Sequence, residues 1–422
     1  MQKRILQAVM LLVVLVGVVL GGGTPAHALT EGQKLLNEAW RIVNRTYVDD
    51  TFNHQNWWAL RQKALSQPLD NSEATYQAIQ RMLANLNDPF TRFLKPDQYR
   101  SLQTSTSGEL TGVGLQIALD AATGELKVIA PIAGSPADQA GLLPYDQIVE
   151  IDEVSTKGMS LDDAAARMRG PIGSPVRLTV KREGKSQTVV QLVRERISLN
   201  PVYAELKELS KKDVVASTDG AGQTRIGYLR LSQFNANATI ELAKSIHRLE
   251  QQGAEAYILD LRNNPGGLLQ SGIEIARLWL NEGTVVYTVD RQGIQDSFEA
   301  SGPALTPDPL VVLVNQGTAS ASEILAGALQ DNGRALLVGE KTFGKGLIQS
   351  LFELSDGSGL AVTVAKYETP SHRDINQLGI EPNRVVSLGE PITRDQIGTA
   401  ADRQYQAAVD LLTTSTVLAG AS

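Results

Sequence analysis

The chain has 422 residues, 42% of them apolar and 20% charged, which is enough for two or three domains with their own cores and excludes a disordered protein. Its 46 acidic residues against 39 basic ones, with no long basic run, argue against nucleic acid or an anionic membrane surface as a partner. With 0 Cys, neither a disulfide nor a thiol nucleophile is available; the 4 His are scattered without ligand spacing, so no metal site and no cofactor are expected.

In chain order, Lys3 and Arg4 precede an apolar stretch from Ile5 to Leu20, and Ala26-His27-Ala28 follows with the small-x-small pattern of a signal peptidase site. Residues 1–28 are therefore expected to be a signal peptide, too short in its apolar part for a membrane span, that exports the mature chain. Residues 29–97 read as helical: Leu35, Leu36, Ala39, Trp40, Ile42 and Val43 recur at helical spacing, and "SEATYQAIQRMLANLNDPF" repeats the pattern from a Ser72 cap to a Pro89 stop. The Trp57-Trp58 pair fits helical core or a substrate surface. Residues 98–195 change to short β-like runs separated by Gly, Pro and Asp turns, with short helices expected at Ser135–Ala140 and Ser160–Met168.

From residue 196 to 422 the pattern is α/β. Apolar runs "AEAYILDL" and "DPLVVLVNQ" are each followed by a glycine- or hydroxyl-rich turn and a helical stretch, and "ALLVGE" leads through "KTFGKG" to further strands. Such runs fit strands buried on both faces of a βαβ core, and residues 393–412 read as a closing helix. Ligands of such sheets bind beyond the carboxyl ends of the strands. Two turns there stand out: Gly266-Gly267, and Gly317 to Ser322 with three hydroxyls at Thr318, Ser320 and Ser322. Taken alone, the second turn fits a helix cap as well as a nucleophile. A serine nucleophile would need a base, and no histidine lies near. Lysine can serve when burial lowers its pKa from about 10.4 toward neutrality, and both Lys345 and Lys341 are candidates.

"NQGTASASEILAGALQDNGRALLVGEKTFGKGLIQ" together with "ILDLRNNPGGLL" resembles the tail-specific, or C-terminal processing, serine proteases, over essentially the whole mature chain. The resemblance implies a multidomain α+β protein: a helical N-terminal segment (29–97), a β-rich PDZ domain (98–195), and an α/β protease core (196–422) similar to the ClpP/crotonase-like fold. It implies Ser320 as nucleophile, Lys345 as general base, and Gln349, one turn beyond, as the group that orients the lysine. Asp260, Arg262 and Glu323 match motif positions that support activity, and they are expected to form one carboxylate–guanidinium network. The expected oxyanion donors are the N–H groups of Ala321 and of Gly266 or Gly267. "TGVGLQI" resembles a PDZ carboxylate-binding loop, with Gly112, Val113, Gly114 and Leu115 capturing a substrate C-terminus.

"AWRIVNRTYVDDTFNHQNWW" resembles the cyanobacterial and plastid branch, which trims the photosystem II reaction-centre core subunit precursor. The implied partner is that protein tail, the implied place the thylakoid lumen or periplasm of a cyanobacterium, with room for a peripheral membrane contact. Rival readings are a general tail-specific quality-control protease, a non-catalytic PDZ adaptor that binds protein C-termini, and an enoyl-CoA hydratase-like enzyme.

Overall fold

A computed structural model describes residues 29–120, 123–182, 184–209, 224–293, 295–390, 392–393 and 395–413; the expected signal peptide lies outside the described residues. Among those described, no helix is long and apolar enough to cross a membrane. The chain separates into two units: the segment up to Lys95 together with residues 351–362, and the remainder. The β-rich module and the α/β core thus fall in one unit, and residues 351–362 go with the N-terminal helices rather than with the core.

The first unit holds α1 (Glu31–Thr46), α2 (Trp57–Leu65), α3 (Ser72–Ala84) and β1 (Arg92–Leu94). A reciprocal cap starts α1: the Thr30 hydroxyl accepts the Gln33 N–H at 3.2 Å and the Gln33 side chain accepts the Thr30 N–H at 3.1 Å. The helical spacing then buries Leu35, Leu36, Ala39 and Val43 against a unit core that includes Ala78, Ile79, Met82 and Leu83 of α3. Trp57 is buried and stacks on Phe52 at 5.3 Å, whereas Trp58 is 60% exposed, so the tryptophan pair is split between core and surface. Residues 351–362 are fastened by Tyr76 to Asp356, by Glu38 to Ser355, and by pairing of β1 with residues 359–361.

In the second unit α4 (Pro96–Ser107) leads to β2 (Glu109–Gly112), β3 (Leu115–Leu119), β4 (Leu126–Pro131), α5 (Pro136–Gln139), β5 (Gln147–Ile151), β6 (Val154–Ser155), α6 (Leu161–Met168), β7 (Pro175–Lys181), β8 (Thr188–Val193) and β9 (Glu195–Ser198). Ser135 and Ser160 cap the two short helices through their hydroxyls. The main sheet runs β3-β4-β5-β7-β8 with β3 at its edge, and its inward residues Val128, Ile148, Ile151, Val176 and Leu178 close a separate core with Ala164 and Met168 of α6.

The α/β core follows with β10 (Val202–Leu209), β11 (Thr224–Leu231), α7 (Ala238–Gln251), β12 (Ala256–Asp260), α8 (Leu269–Arg277), β13 (Glu282–Asp290), β14 (Gln295–Ser301), β15 (Leu310–Val314), α9 (Ala321–Asp331), β16 (Ala335–Gly339), β17 (Leu347–Glu353), β18 (Gly359–Glu368), β19 (Arg384–Val385) and α10 (Arg403–Thr413). Its main sheet has the order β10-β11-β12-β15-β16-β19, parallel except for β10 at one edge. Alternation along the strands explains their unbroken apolar sequences. Tyr257, Leu259, Leu310, Val312 and Val314 face α7, α8 and α9, while Ile258, Val311 and Leu313 face Tyr405, Ala408, Val409 and Leu412 of α10. The closing helix is shorter than its expected span of 393–412. Asp402 stops it at the N-terminal side, accepting the Tyr405 N–H at 3.1 Å and the Gly398 N–H at 3.0 Å, so residues 395–401 are held in turns.

Candidate active site

β12, β15 and β16 end side by side, and the turns that follow them build one site. The two serine-turn hydroxyls flanking Ser320 act as stitches between turns rather than as helix caps. Thr318 Oγ1 donates to the Leu261 carbonyl at 2.9 Å, and Ser322 Oγ donates to the Asn264 carbonyl at 3.0 Å. Both are fully buried, and each adds a second donor to a carbonyl that already accepts a backbone N–H, from Asn264 at 3.2 Å and from Ala319 at 3.0 Å. Ser320, half-buried between them, has φ 59° and ψ −121°, a strained conformation for a residue with a Cβ. Its carbonyl oxygen accepts the N–H groups of Glu323 at 2.7 Å and Ile324 at 3.0 Å, and the Tyr367 hydroxyl at 3.2 Å.

Gly266 packs directly on this turn. It has φ +93°, and a Cβ there would lie 2.6 Å from the Ala319 oxygen and 2.9 Å from the Ala321 nitrogen. Only glycine allows this approach. Of the N–H groups expected to face an oxyanion, that of Gly266 is already donated to Asn264 Oδ1 at 2.9 Å. The N–H groups of Gly267 and Ala321 have no partner among the described residues. The alternatives thus narrow to Gly267 with Ala321.

Glu323 is fully buried and links the serine turn to the lysine loop. Its Oε2 accepts the N–H groups of Ser320 and Lys345, both at 2.9 Å; its Oε1 accepts the Thr342 hydroxyl at 2.6 Å and the Gly344 N–H at 2.7 Å. Four donors saturate the carboxylate. Lys345 is half-buried, whereas Lys341 is exposed and ion-paired with Glu381 at 2.8 Å, which removes it as a base beside Ser320. Gln349 lies on a strand, not one helical turn beyond Lys345. Four residues of extended chain span about 13 Å, so the two long side chains would have to lean toward each other to meet. The Gln349 amide nitrogen lies 3.4 Å from Thr363 Oγ1.

Asp260 and Arg262 form a second, separate network. Arg262 donates to both Asp260 oxygens (2.9 and 2.6 Å), to both Asp402 oxygens (2.9 and 2.7 Å) and to Gln404 (3.0 Å), and the Tyr228 hydroxyl donates to Asp260 at 2.7 Å. All five guanidinium N–H groups are used, leaving none for Glu323. The single network expected from sequence is therefore two, for a geometric reason: β12 aims its last carboxylate at α10, while Glu323 faces the opposite turn. Burial pushes the Asp402 carboxyl up, but the Arg262 guanidinium and the N–H groups of Gly398 and Tyr405 outweigh it and hold it below the usual carboxylate range.

In the β-rich module Gly114 has φ +77°, and a Cβ there would fall 2.2 Å from that of Ser135. The Val113 carbonyl accepts the Ala137 N–H at 2.9 Å, and the Gly114 carbonyl accepts the Ile132 N–H at 2.8 Å. Because C=O and N–H oppose each other across a trans peptide, the Leu115 N–H points away from β4, off the free edge of the sheet. Gly112, at the end of β2, and buried Val113 complete that turn.

Residues 225–386 match the peptidase family S41, and residues 127–182 match the PDZ domain. The chain is 61% identical over 401 residues to the carboxyl-terminal-processing protease of Synechocystis sp., covering 94% of this chain and 91% of that protein. The chain belongs to peptidase family S41. This S41 peptidase is also 48% identical to carboxyl-terminal-processing peptidase 2, chloroplastic, of Arabidopsis thaliana, over 90% of this chain and 74% of that protein. It is similar to the solved structure of a photosystem II D1 C-terminal processing protease, with 44% identity and a TM-score of 0.55 over 85% of this chain and 94% of that one. It is a serine peptidase of the carboxyl-terminal-processing kind, and the adaptor and hydratase readings are set aside. Residues 112–115 precede the stretch matched as PDZ.

The motifs of this S41 peptidase did not disclose Thr342, Tyr367, Asn264, Asp402 or Gln404. The "KT" before "FGKG" was the one local signal for Thr342. Asn264 lies inside the "DLRNNPGG" motif between Arg262 and Gly266, and the other three have no sequence neighbour that suggests chemistry.

Proposed function

We propose that Ser320 is the nucleophile, Lys345 the general base and Gln349 the group that orients the lysine, in an endopeptidase that removes a C-terminal extension from a protein precursor. One observation carries this reading: a single buried oxygen, Glu323 Oε2, accepts the N–H of both Ser320 and Lys345, so their backbones lie within about 6 Å of each other. Neutral Lys345 takes the Ser320 proton as Oγ attacks the scissile carbonyl. The N–H groups of Gly267 and Ala321 receive the oxyanion, and Lys345 returns the proton to the leaving amine before water releases the acyl group. Asp260 and Arg262 support the β12 turn by tying it to α10, and Glu323 supports the reacting pair.

The substrate tail is captured at Gly112, Val113, Gly114 and Leu115, adding as a strand along β3. The open edge of β3 and the outward Leu115 N–H support this. The photosystem II reaction-centre precursor is the proposed substrate, and the thylakoid lumen or periplasm of a cyanobacterium the proposed compartment, with residues 1–28 as the export signal. The name of the similar solved protease and the cyanobacterial and chloroplastic names of the relatives support this choice.

The test is cleavage of the precursor's C-terminal peptide, read by mass spectrometry. Wild type cuts the free-carboxylate peptide, and Ser320→Ala and Lys345→Ala lose at least about 1,000-fold while keeping the wild-type melting temperature. An amidated peptide is processed clearly more slowly. Substantial turnover by either variant would sink the dyad; equal processing of both peptides would sink tail capture.

A further inference from the structure

We infer that Tyr367 is a positioning residue for the oxyanion site, holding the Ser320–Ala321 peptide in the orientation that points the Ala321 N–H at the substrate. The inference rests on the assignment of Ser320 as nucleophile and adds the device that aims its neighbour.

Tyr367 lies near the end of β18, 1% exposed, and its hydroxyl donates to the Ser320 carbonyl oxygen at 3.2 Å. That carbonyl and the Ala321 N–H belong to one rigid planar unit, pointing in opposite directions. Anchoring the oxygen therefore fixes the direction of the N–H. The anchor matters because Ser320, at φ 59° and ψ −121°, is in a strained conformation that persists only where its surroundings hold it, and the Tyr367 hydroxyl adds a third donor to the Glu323 and Ile324 N–H groups on that carbonyl. A donor on the carbonyl also polarises the peptide and strengthens its N–H as a donor. The hydroxyl keeps its proton, since burial and the charges of Glu323 and Asp374 raise its pKa well above the ordinary tyrosine value.

The same residue reaches the lysine loop through its backbone: the Tyr367 N–H donates to the Gly346 carbonyl at 3.0 Å, next to Lys345. One residue of β18 thus touches the nucleophile turn with its side chain and the base loop with its main chain. Substitution of the side chain removes only the first contact. In Tyr367→Phe the ring still fills its place, and the Ser320 carbonyl keeps its bonds from Glu323 and Ile324, so no buried group is orphaned.

The experiment compares wild type and Tyr367→Phe for kcat, KM, melting temperature, and the affinity of a peptide aldehyde that forms an oxyanion-bearing adduct on the serine. Rates are normalised to folded sites by active-site titration, so a partly unfolded preparation still gives a decisive ratio. The expected result is a kcat about tenfold lower and aldehyde binding weakened by a similar factor, with KM within about twofold. The acid limb of the pH–rate profile stays in place. Unchanged kcat and aldehyde affinity would overturn the inference, as would a displaced acid limb with normal aldehyde binding, which would put the effect on Lys345 instead. Ser320→Ala in the same assay separates the two claims: residual turnover there refutes the nucleophile assignment, whereas an unaffected Tyr367→Phe beside a dead Ser320→Ala refutes only the positioning role.

Discussion

At Gly266 a single hydrogen atom is all that fits between two turns. A methyl group there would press on the Ala319 oxygen and the Ala321 nitrogen at 2.6 and 2.9 Å, and the residue would have to keep φ +93°. The collision falls on the peptide that carries a proposed oxyanion donor. Gly266→Ala is therefore expected to lower kcat/KM by about 100-fold or more, and to cost only about 1–3 kcal/mol of stability from strain. Steady-state kinetics beside thermal unfolding checks this: activity lost in proportion to stability would mean that the glycine serves folding alone. Glu323 makes the complementary point. In sequence it is a helix-start acid directly after the small residues Ser320-Ala321-Ser322; in the structure its two oxygens hold four donors from two separate segments. Its motif position was legible, but its partners were not, because Thr342 and Gly344 reach it only after β16 has been laid down.

Among the elements, strands buried on both faces were the easiest to read, because "AYILD" and "LVVLV" have no polar face to mislead. The short helices expected at Ser135–Ala140 and Ser160–Met168 were equally legible, since the serine that caps each in the structure is a local device. What the sequence hid was non-local. Arg262 meets Asp402 and Gln404 across more than a hundred residues, and the start of α10 is set by that meeting rather than by helical periodicity, which read on upstream to Thr393. For Gln349 the motif gives a spacing of four residues from Lys345 but not the conformation, and β17 is extended there. The tie between β12 and α10 also titrates. The folded-state pKa of Asp402 is depressed, so its contribution is fully present above the unfolded value of about 3.9 and is lost as pH falls through the lower folded value. Asp402→Asn should lose about 2–3 kcal/mol at neutral pH, from hydrogen bonds to a buried guanidinium, and should lose less than wild type as pH falls below about 4. Urea unfolding across that range decides it; parallel curves for the two proteins would remove Asp402 as an acid-sensitive tie.

For the molecule as a whole, the second unit carries both the proposed tail-binding edge and the proposed hydrolytic site. The β-rich module has its own core, built from Val128, Ile148, Val176 and their neighbours, while the α/β sheet carries the serine and lysine turns at its carboxyl end. Asn237 of the core donates to the Gly108 carbonyl at 2.7 Å, just ahead of β2, so the two parts are joined where the module begins. Division of labour follows from this layout: changes at residues 112–115 should act on KM for long tails, and changes at residues 320, 345 and 266 on kcat.

The central claim is that a lysine-activated serine forms a covalent intermediate. The most direct measurement is the intact mass of the enzyme mixed rapidly with an activated peptide ester and quenched in acid, followed by peptide mapping. The account predicts a mass increase equal to the acyl group on the fragment containing Ser320, absent in Ser320→Ala and formed far more slowly in Lys345→Ala. An acyl group mapped to any other residue, or tail cleavage that proceeds in Ser320→Ala, would contradict it.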